Sequence, residues 1–207
     1  MIVGVDFDNT IVSYDRVLYA VAVERGLVAA SIVATKPAVR ETVRRLPDGE
    51  LRWQELQARA YGPGISAAEP MPGVKAFFQR CRLEGVPVYI VSHKTRLAAR
   101  GDGITDLRAA ALQWMATHGF FLAEGLGLTR EQVFFEDSRD AKILRINYLG
   151  CSHFIDDLEE TFLESSFPNG VRKILLAPAD PRSQADCLRL DSWRAIEGYL
   201  FPESRHG

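Results

Sequence analysis

The side chains best suited to chemistry lie in a short acidic segment near the start of the chain, Asp6-Phe7-Asp8-Asn9-Thr10. This segment follows residues 2–5, an apolar run typical of a buried strand that leads into a functional loop. Side chains alternate along a strand, so Asp6 and Asp8 share one face if the strand continues. A bend after Asp6 also brings both to one site, and Asn9 suits a bend because asparagine tolerates left-handed backbone angles. Both geometries predict paired carboxylates at a strand end.

Two later apolar runs also end in polar side chains that suit phosphate chemistry. Residues 86–91 lead to Ser92, whose hydroxyl can hold a phosphoryl oxygen, and residues 152–155 lead to Asp156 and Asp157. Acids crowded at one sheet edge repel one another unless a cation is present. Because Mg²⁺ binds carboxylates, substrate oxygens and water, these acids predict a magnesium site.

The elements that position these residues follow an alternating strand and helix pattern after residue 72. The helix that begins at Val74 has one apolar face, formed by Val74, Phe77, Phe78 and Cys81. Strands are predicted at residues 2–5, 86–91, 133–135, 152–155 and 172–176, with helices between them. This order predicts an α/β fold, a three-layer Rossmann-like parallel sheet. Ligands bind such sheets beyond the carboxyl ends of the strands, where Asp6, Ser92 and Asp156 stand.

A segment of different character interrupts this pattern near the start of the chain. Helical patterns cover residues 15–27, 36–46 and 51–61, and turns rich in proline and glycine follow them. We therefore predict an α/β core made of residues 1–12 and 71–207, with an inserted helical unit of residues 13–70.

Together these segments resemble the haloacid dehalogenase (HAD) superfamily of phosphohydrolases. The resemblance rests on Asp6–Thr10 as the DxDxT motif one, Ser92 as motif two, Lys142 as motif three and Asp156-Asp157 as motif four. The motifs come in the family's order, each after the expected kind of element. The resemblance implies that residues 13–70 are a small helical cap, inserted between motifs one and two, that closes over the site and selects the substrate.

The resemblance also implies a role for each motif residue. Asp6 would attack phosphorus and form an aspartyl-phosphate. Asp8 would protonate the leaving oxygen and then activate water as a general base. The side chains expected to contact the phosphoryl group or the substrate are Thr10, Ser92, His93 and Lys142.

The implied cofactor is one Mg²⁺ ion. Its ligands would be Asp6, the backbone carbonyl of Asp8 and Asp156, with Asp157 in support. The second acid of motif one also indicates the reaction. Family members that cleave carbon–halogen bonds, and family phosphonatases, generally lack that acid, so Asp8 favours phosphate ester hydrolysis.

Two assignments near the site have alternatives. Lys142 is taken as the motif-three lysine because of its spacing before Asp156, but Lys94 stands beside Ser92, and Arg145 lies one helical turn after Lys142. Lys94, in a loop, is otherwise interpreted as a surface charge. His93 is either a substrate contact or a surface group.

The overall composition is that of an ordinary globular protein, and a small molecule is the default expectation for its partner. The net charge is −2, and no basic stripe or zinc-finger spacing indicates nucleic acid. The cysteines show no CxxC spacing, which favours reduced, buried thiols. We find neither a signal peptide pattern nor an apolar run long enough to span a membrane, and we predict a cytoplasmic protein.

The leading functional prediction is a Mg²⁺-dependent phosphatase acting on a small phosphorylated metabolite. A phosphotransferase or mutase would share the aspartyl-phosphate and pass the phosphoryl group to a second hydroxyl. A non-catalytic scaffold would retain the fold without turnover, but it has no need for a costly cluster of acids. The sequence names neither the substrate nor the oligomeric state.

Overall fold

The computed structural model describes residues 1–98, 100, 102–178 and 184–202. The strands in these residues are β1 (Val3–Val5), β2 (Val12–Ser13), β3 (Glu69–Pro70), β4 (Val88–His93), β5 (Val133–Glu136), β6 (His153–Asp156), β7 (Arg172–Leu176) and β8 (Leu188–Leu190). The helices are α1 (Asp15–Glu24), α2 (Lys36–Arg44), α3 (Gly49–Tyr61), α4 (Val74–Leu83), α5 (Leu107–Thr117), α6 (Arg139–Tyr148), α7 (Glu159–Leu163) and α8 (Trp193–Leu200).

Six strands form one sheet in the order β5-β4-β1-β6-β7-β8. Neighbouring strands in this sheet pair in parallel, which confirms the predicted Rossmann-like α/β fold. Strand β8, at the edge, was not predicted, because three half-buried residues are too short to show a clear pattern. Strands β2 and β3 pair with each other in a separate two-stranded sheet.

Strand β1 lies between β4 and β6, and its sequence explains this central place. All three of its residues are buried, as a strand covered on both faces requires. A Cβ atom on Gly4 would lie 2.5 Å from Cδ2 of Phe154 on β6, so only glycine leaves room for that ring. The order of strands brings the carboxyl ends of β4, β1 and β6 together at one edge.

The aromatic packing of two helices supports the loop after β1. The predicted apolar face of α4 is buried, and Phe77 on this face packs against Trp193 of α8 with ring centroids 4.8 Å apart. The indole Nε1 of Trp193 donates a hydrogen bond of 2.9 Å to the carbonyl oxygen of Thr10. Helix α8 therefore anchors the backbone of the acidic segment from the core side.

The chain divides into two compact units. The first, which we call the core unit, consists of Met1–Ile11, Pro70–Lys94 and Gly119–Gly207 and contains the large sheet. The second, which we call the helical unit, consists of Val12–Glu69 and Thr95–His118.

The helical unit has its own buried side chains, among them Trp53 and Leu56 of α3. It includes Thr95–His118 as well as most of the predicted insertion, although sequence analysis assigned that second segment to the core. A hydrogen bond of 2.8 Å from Trp114 Nε1 of α5 to the carbonyl oxygen of Ala68 ties the two segments together. Among the described residues, no helix combines the length and hydropathy needed to cross a membrane.

Candidate active site

The parallel register places the acids of two strands side by side. Val5 is paired with Ile90 of β4 and with Ile155 of β6. The N–H of Asp6 continues this ladder by donating to the carbonyl oxygen of Ile155 at 2.9 Å. Asp6 therefore stands directly after β1, beside Asp156 at the end of β6.

Four side chains form a buried group at this edge, which we call the inner cluster: Asp6, Ser92, Lys142 and Asp156. The Lys142 Nζ donates to Asp6 Oδ1 and to Asp156 Oδ2, each at 2.7 Å. The Ser92 hydroxyl donates to the same Asp6 oxygen at 2.9 Å. All four residues are buried. The structure thus brings together one residue from each of the four motifs of the resemblance.

Lys142 reaches the acids because of where α6 begins. The Ser138 side chain caps this helix by accepting a hydrogen bond of 3.1 Å from the N–H of Ala141. Ile143 and Ile146 bury one side of the helix in the core. Arg145, the alternative on the same helix, is bound instead to Glu136, with 2.8 Å between its Nε and Oε1.

Burial and charge set the protonation of the inner cluster. Burial raises the pKa of Asp6 from 3.8 to about 6, because the nearby Lys142 charge opposes this desolvation without cancelling it. Burial alone would lower the pKa of Lys142, but the carboxylates of Asp156 and Asp6 outweigh it and raise that pKa above its ordinary value. Lys142 is therefore held as an ammonium group.

Three carboxylates offer oxygens to one point. Asp6, Asp156 and Asp157 each place one oxygen within 4.8 Å of the others. The Thr10 hydroxyl accepts from the N–H of Asp157 at 3.1 Å and lies 3.5 Å from carboxylate oxygens of Asp6 and Asp157. This set of oxygen donors suits a hard divalent cation such as Mg²⁺, so the predicted ligand residues fit the implied ion.

Asp8 lies outside this carboxylate group and forms what we call the outer pair with Lys94. The Lys94 Nζ lies 2.8 Å from both oxygens of Asp8. The side chain of Lys94 is 2% exposed and that of Asp8 is 16% exposed. The interpretation of Lys94 as a surface charge is therefore wrong. The ammonium contacts Asp8, whereas Lys142 contacts Asp6 and Asp156.

The turn after Asp6 shapes the segment that carries both aspartates. Asn9 adopts a φ of 63°, which is the left-handed backbone conformation expected if the chain bends after Asp6. Phe7, between the two acids, is buried and meets Phe135 edge to face at 5.6 Å. The N–H of Ile11 closes the turn on the carbonyl oxygen of Phe7 at 2.9 Å. This turn fixes the backbone from which Asp8 and Thr10 project.

His93 differs from its two neighbours in sequence. Its side chain is exposed, whereas Ser92 and Lys94 on either side are buried and bind aspartates. Partial burial lowers the pKa of His93, and the nearby Lys142 charge adds to this effect. His93 stands at the edge of the site, and its predicted contact with substrate stays a prediction.

Sequence reasoning missed the partnership of Lys94 with Asp8, although a signal for it is present. Asp6 and Asp8 are two residues apart, and so are Ser92 and Lys94. Because side chains alternate along strands, matched spacings on neighbouring parallel strands bring both pairs to the same side. Each contact spans 86 residues of sequence, as this match requires.

Comparisons with known proteins identify the fold. Neither a protein-family model nor a curated protein matches the chain. A solved HAD family hydrolase from Deinococcus radiodurans, with bound phosphate and sodium, has a TM-score of 0.57 at 17% identity, covering 96% of this chain and 94% of that one. A predicted phosphoglycolate phosphatase from Haemophilus somnus has a TM-score of 0.55 at 13% identity, covering 96% of this chain and 97% of that one.

A third similar structure carries a different kind of name. Protein Tyrosine Kinase A from Mycobacterium tuberculosis has a TM-score of 0.59 at 12% identity, with 97% of each chain covered. At these identities the likeness concerns the fold, and a fold alone does not determine a reaction. The chain has the fold of HAD-family hydrolases, which confirms the resemblance at the level of structure.

Proposed function

We propose that this chain is a Mg²⁺-dependent phosphatase that hydrolyses a small phosphorylated metabolite through an aspartyl-phosphate on Asp6. The observation that carries the proposal is the inner cluster. A buried lysine contacts Asp6 and Asp156 at 2.7 Å, and a serine hydroxyl contacts Asp6 at 2.9 Å, where three parallel strands end. A carboxylate beside fixed donors suits attack on a phosphoryl group, because the same donors can stabilise the charge on its oxygens.

In the first step, a carboxylate oxygen of Asp6 forms a bond to phosphorus while the bond from phosphorus to the leaving oxygen breaks. The leaving oxygen takes a proton from Asp8 and departs as an alcohol. Lys142 and Ser92 exchange part of their contact with Asp6 for contact with the phosphoryl oxygens. Since both donors are already buried beside Asp6, little reorganisation is needed.

In the second step, water attacks the phosphorus of the aspartyl-phosphate. Asp8, now a carboxylate, takes a proton from that water, and the bond from phosphorus to the Asp6 oxygen breaks. Inorganic phosphate leaves and the Asp6 carboxylate is restored. Asp8 thus gives and regains a single proton over the cycle. Both transfers require Asp8 to stand near the phosphoryl group on Asp6, and the position two residues after the nucleophile fits this requirement.

The proposed metal ligands are Asp6 and Asp156, with Asp157 and the backbone carbonyl of Asp8 completing the protein's share. The inner cluster, the outer pair and Asp157 together hold four carboxylates and two ammonium groups. Two negative charges are therefore uncompensated when all these groups are ionised. Bound Mg²⁺ would neutralise them and offset the repulsion between a carboxylate nucleophile and an anionic substrate.

The helical unit is proposed to act as the cap. Its larger segment separates motif one from motif two along the chain, as in the capped enzymes that the sequence resembles. A cap of this kind admits small metabolites and excludes water during the first step. This assignment favours a small phosphorylated metabolite over a phosphoprotein as substrate.

The test is release of inorganic phosphate from a panel of phosphorylated metabolites with Mg²⁺, comparing the native protein with Asp6→Asn. The substitution keeps the shape of the side chain and removes the nucleophilic charge. Asp186→Asn, at an exposed position, is the matched control. We expect turnover that is lost in Asp6→Asn and with a chelator and that is retained in the control.

Equal phosphate release by the native protein and Asp6→Asn would exclude Asp6 as the nucleophile. The same reactions with an added alcohol acceptor separate hydrolysis from transfer. A phosphatase gives inorganic phosphate as the main product, whereas a transferase gives a new phosphate ester.

A further inference from the structure

The outer pair joins a buried lysine to a half-buried aspartate, and the four motifs do not account for this lysine. Both oxygens of the Asp8 carboxylate lie 2.8 Å from one ammonium group, Lys94 Nζ. That side chain is almost fully buried, as is Lys142, yet it contacts a different aspartate. A lysine is rarely buried without a partner, because its charge loses the stabilisation that water provides.

Several contacts hold Lys94 in this position. Its backbone N–H donates to the carbonyl oxygen of Glu136 on β5 at 2.9 Å, which continues the pairing of β4 with β5 past the end of the strand. Its ammonium lies 5.5 Å from the centre of the Phe7 ring, and this ring is itself buried. The lysine is therefore fixed at both its backbone and its charged end.

This geometry also limits where Asp8 can point. Contact of both carboxyl oxygens with one fixed ammonium restricts the side-chain rotamer of Asp8. A general acid must stand within hydrogen-bond reach of the oxygen that it protonates, so a loss of this orientation slows proton transfer.

We propose that Lys94 is the positioning residue for Asp8: it orients the carboxylate that exchanges a proton with the leaving group and with water. The proposal rests on the proposed phosphatase function. It separates the two buried lysines by task. Lys142 serves the phosphoryl group beside Asp6, whereas Lys94 acts on the reaction through Asp8.

If Lys94 orients Asp8, loss of Lys94 should slow cleavage most for substrates whose leaving group needs a proton. An alkyl phosphate releases a basic alkoxide that needs a proton, so its cleavage depends on a well-placed Asp8. p-Nitrophenyl phosphate releases a stable phenolate that needs no proton. Comparing kcat/KM for these substrates isolates the first step, because kcat/KM includes events only up to departure of the leaving group.

The decisive variant is Lys94→Met, which removes the charge and keeps much of the buried apolar volume. We expect kcat/KM for an alkyl phosphate to fall about a hundredfold, the scale of a lost general acid, and kcat/KM for p-nitrophenyl phosphate to fall less than about fivefold. Lys75→Met, at an exposed position of α4, should leave both values unchanged. A general loss of structure would lower kcat/KM for both substrates, and thermal unfolding of the variant detects such a loss independently of the kinetics.

Two further variants separate positioning from a direct role. Asp8→Asn should show the same dependence on leaving group, and adding Lys94→Met to it should cause little further loss, because Lys94 acts through Asp8. Lys94→Arg, which restores a charged donor, should recover part of the alkyl phosphate activity. Equal losses for both substrates in Lys94→Met, or multiplicative losses in the double variant, would overturn the proposal.

A thermal unfolding cycle tests the pair without any substrate. Asp8→Asn alone leaves the Lys94 ammonium buried without its carboxylate, so we expect this variant to melt below the double variant with Lys94→Met. A double variant that melts lower than both single variants would show that the two residues do not act as a unit.

The proposed phosphatase function and the proposed role of Lys94 can be refuted separately. A native protein that is inactive on every phosphate ester would refute the proposed function, and with it the role of Lys94 in that reaction. An active native protein whose Lys94→Met variant shows no preference between leaving groups would refute the role of Lys94 alone.

Discussion

The inner cluster and the outer pair both hold a buried ammonium group against an aspartate, but they are built from different parts of the fold. Each places a buried ammonium on a buried or half-buried aspartate, and each ammonium lies over a phenylalanine ring, Phe154 for Lys142 and Phe7 for Lys94. The inner cluster takes its members from three strand ends and a helix. The outer pair takes both members from segments that directly follow β1 and β4.

This difference in construction indicates a difference in task. The inner cluster has several mutual contacts, so its geometry is set by the register of the sheet and by the start of α6. The outer pair joins one lysine to one aspartate, and this aspartate is more exposed than any acid of the inner cluster. The inner cluster suits the proposed phosphoryl transfer, which would be the same step for every substrate. The more accessible outer pair suits the proposed proton transfer to the leaving group, which would vary between substrates.

The strongest test of the difference between the inner cluster and the outer pair is to remove Lys142. Lys142→Met should lower kcat/KM about a thousandfold for alkyl and aryl phosphates alike, because the variant removes the proposed donor to the phosphoryl oxygens whatever the leaving group. It also leaves Asp6 and Asp156 buried without their shared cation, which should lower the free energy of unfolding by about 3–5 kcal/mol. Steady-state kinetics and chemical denaturation measure these two effects.

Lys75→Met again serves as the control, with a change in unfolding free energy of no more than about 0.5 kcal/mol. If Lys142→Met discriminates between leaving groups as strongly as Lys94→Met, the two lysines do not have separate tasks.

A smaller loss should follow from Ser92→Ala within the inner cluster. The variant removes the hydrogen bond of 2.9 Å to Asp6. A hydrogen bond to a charged group contributes about 1.5–3 kcal/mol, so we expect kcat/KM to fall about tenfold to a hundredfold for both kinds of substrate. Ser92→Thr keeps the hydroxyl and should recover activity. A variant of Ser92→Ala with native kinetics would remove this serine from the site.

The pH dependence of metal binding sharpens the comparison further. The pKa of Asp6 is raised from 3.8 to about 6, so the folded state holds this proton more tightly than the unfolded state does. Its contribution to stability is therefore fully present below pH 3.8 and is lost as the pH rises through about 6. The proposed Mg²⁺ would bind the ionised form of Asp6, so we expect added Mg²⁺ to raise the melting temperature by an amount that grows over the same pH range.

Thermal unfolding in Mg²⁺ and in chelator, between acidic and neutral pH, measures this growth. Asp6→Asn should flatten it, whereas Asp186→Asn should not. An unchanged pH slope in Asp6→Asn would show that another group controls the metal's effect.

The smallest effect is expected at His93. This residue stands in sequence between Ser92 of the inner cluster and Lys94 of the outer pair, and it belongs to neither group. Its exposed side chain should affect only substrate binding, so His93→Gln should change KM by less than about tenfold and leave kcat unchanged. Kinetics on the best metabolite of the panel measure both values. A large fall in kcat would place His93 in the chemistry of the site.

The inner cluster could be predicted from the sequence because each of its members marks the end of a strand or the beginning of a helix. Apolar runs before Asp6, Ser92 and Asp156 indicated parallel strands, and the carboxyl ends of such strands meet at one edge. Lys142 came from the family resemblance, in which its spacing before Asp156 favoured it as the motif-three lysine over Lys94 and Arg145. Local patterns and a general rule of topology were sufficient only for the other three side chains.

The outer pair and the composition of the helical unit could not be obtained in the same way. Lys94 follows the last residue of β4, and its two-residue spacing from Ser92 points to Asp8 only once β4 is known to lie beside β1. The amphipathic pattern of α5 predicts a helix with a buried side, but it does not identify the surface that this side meets. The bond from Trp114 to Ala68 is a contact distant in sequence, and only the folded chain reveals it.

The most direct test of the central claim is detection of the phosphoryl group on Asp6. Asp8→Asn should accumulate the intermediate from p-nitrophenyl phosphate and Mg²⁺, because the leaving group needs no acid while hydrolysis needs the base. Acid quenching, borohydride reduction of the acyl phosphate and peptide mass mapping then locate it. We predict conversion of residue 6 to homoserine, dependent on substrate and absent from the Asp6→Asn/Asp8→Asn double variant. Modification of another residue, or of none during a measured burst of nitrophenolate, would contradict an aspartyl-phosphate on Asp6.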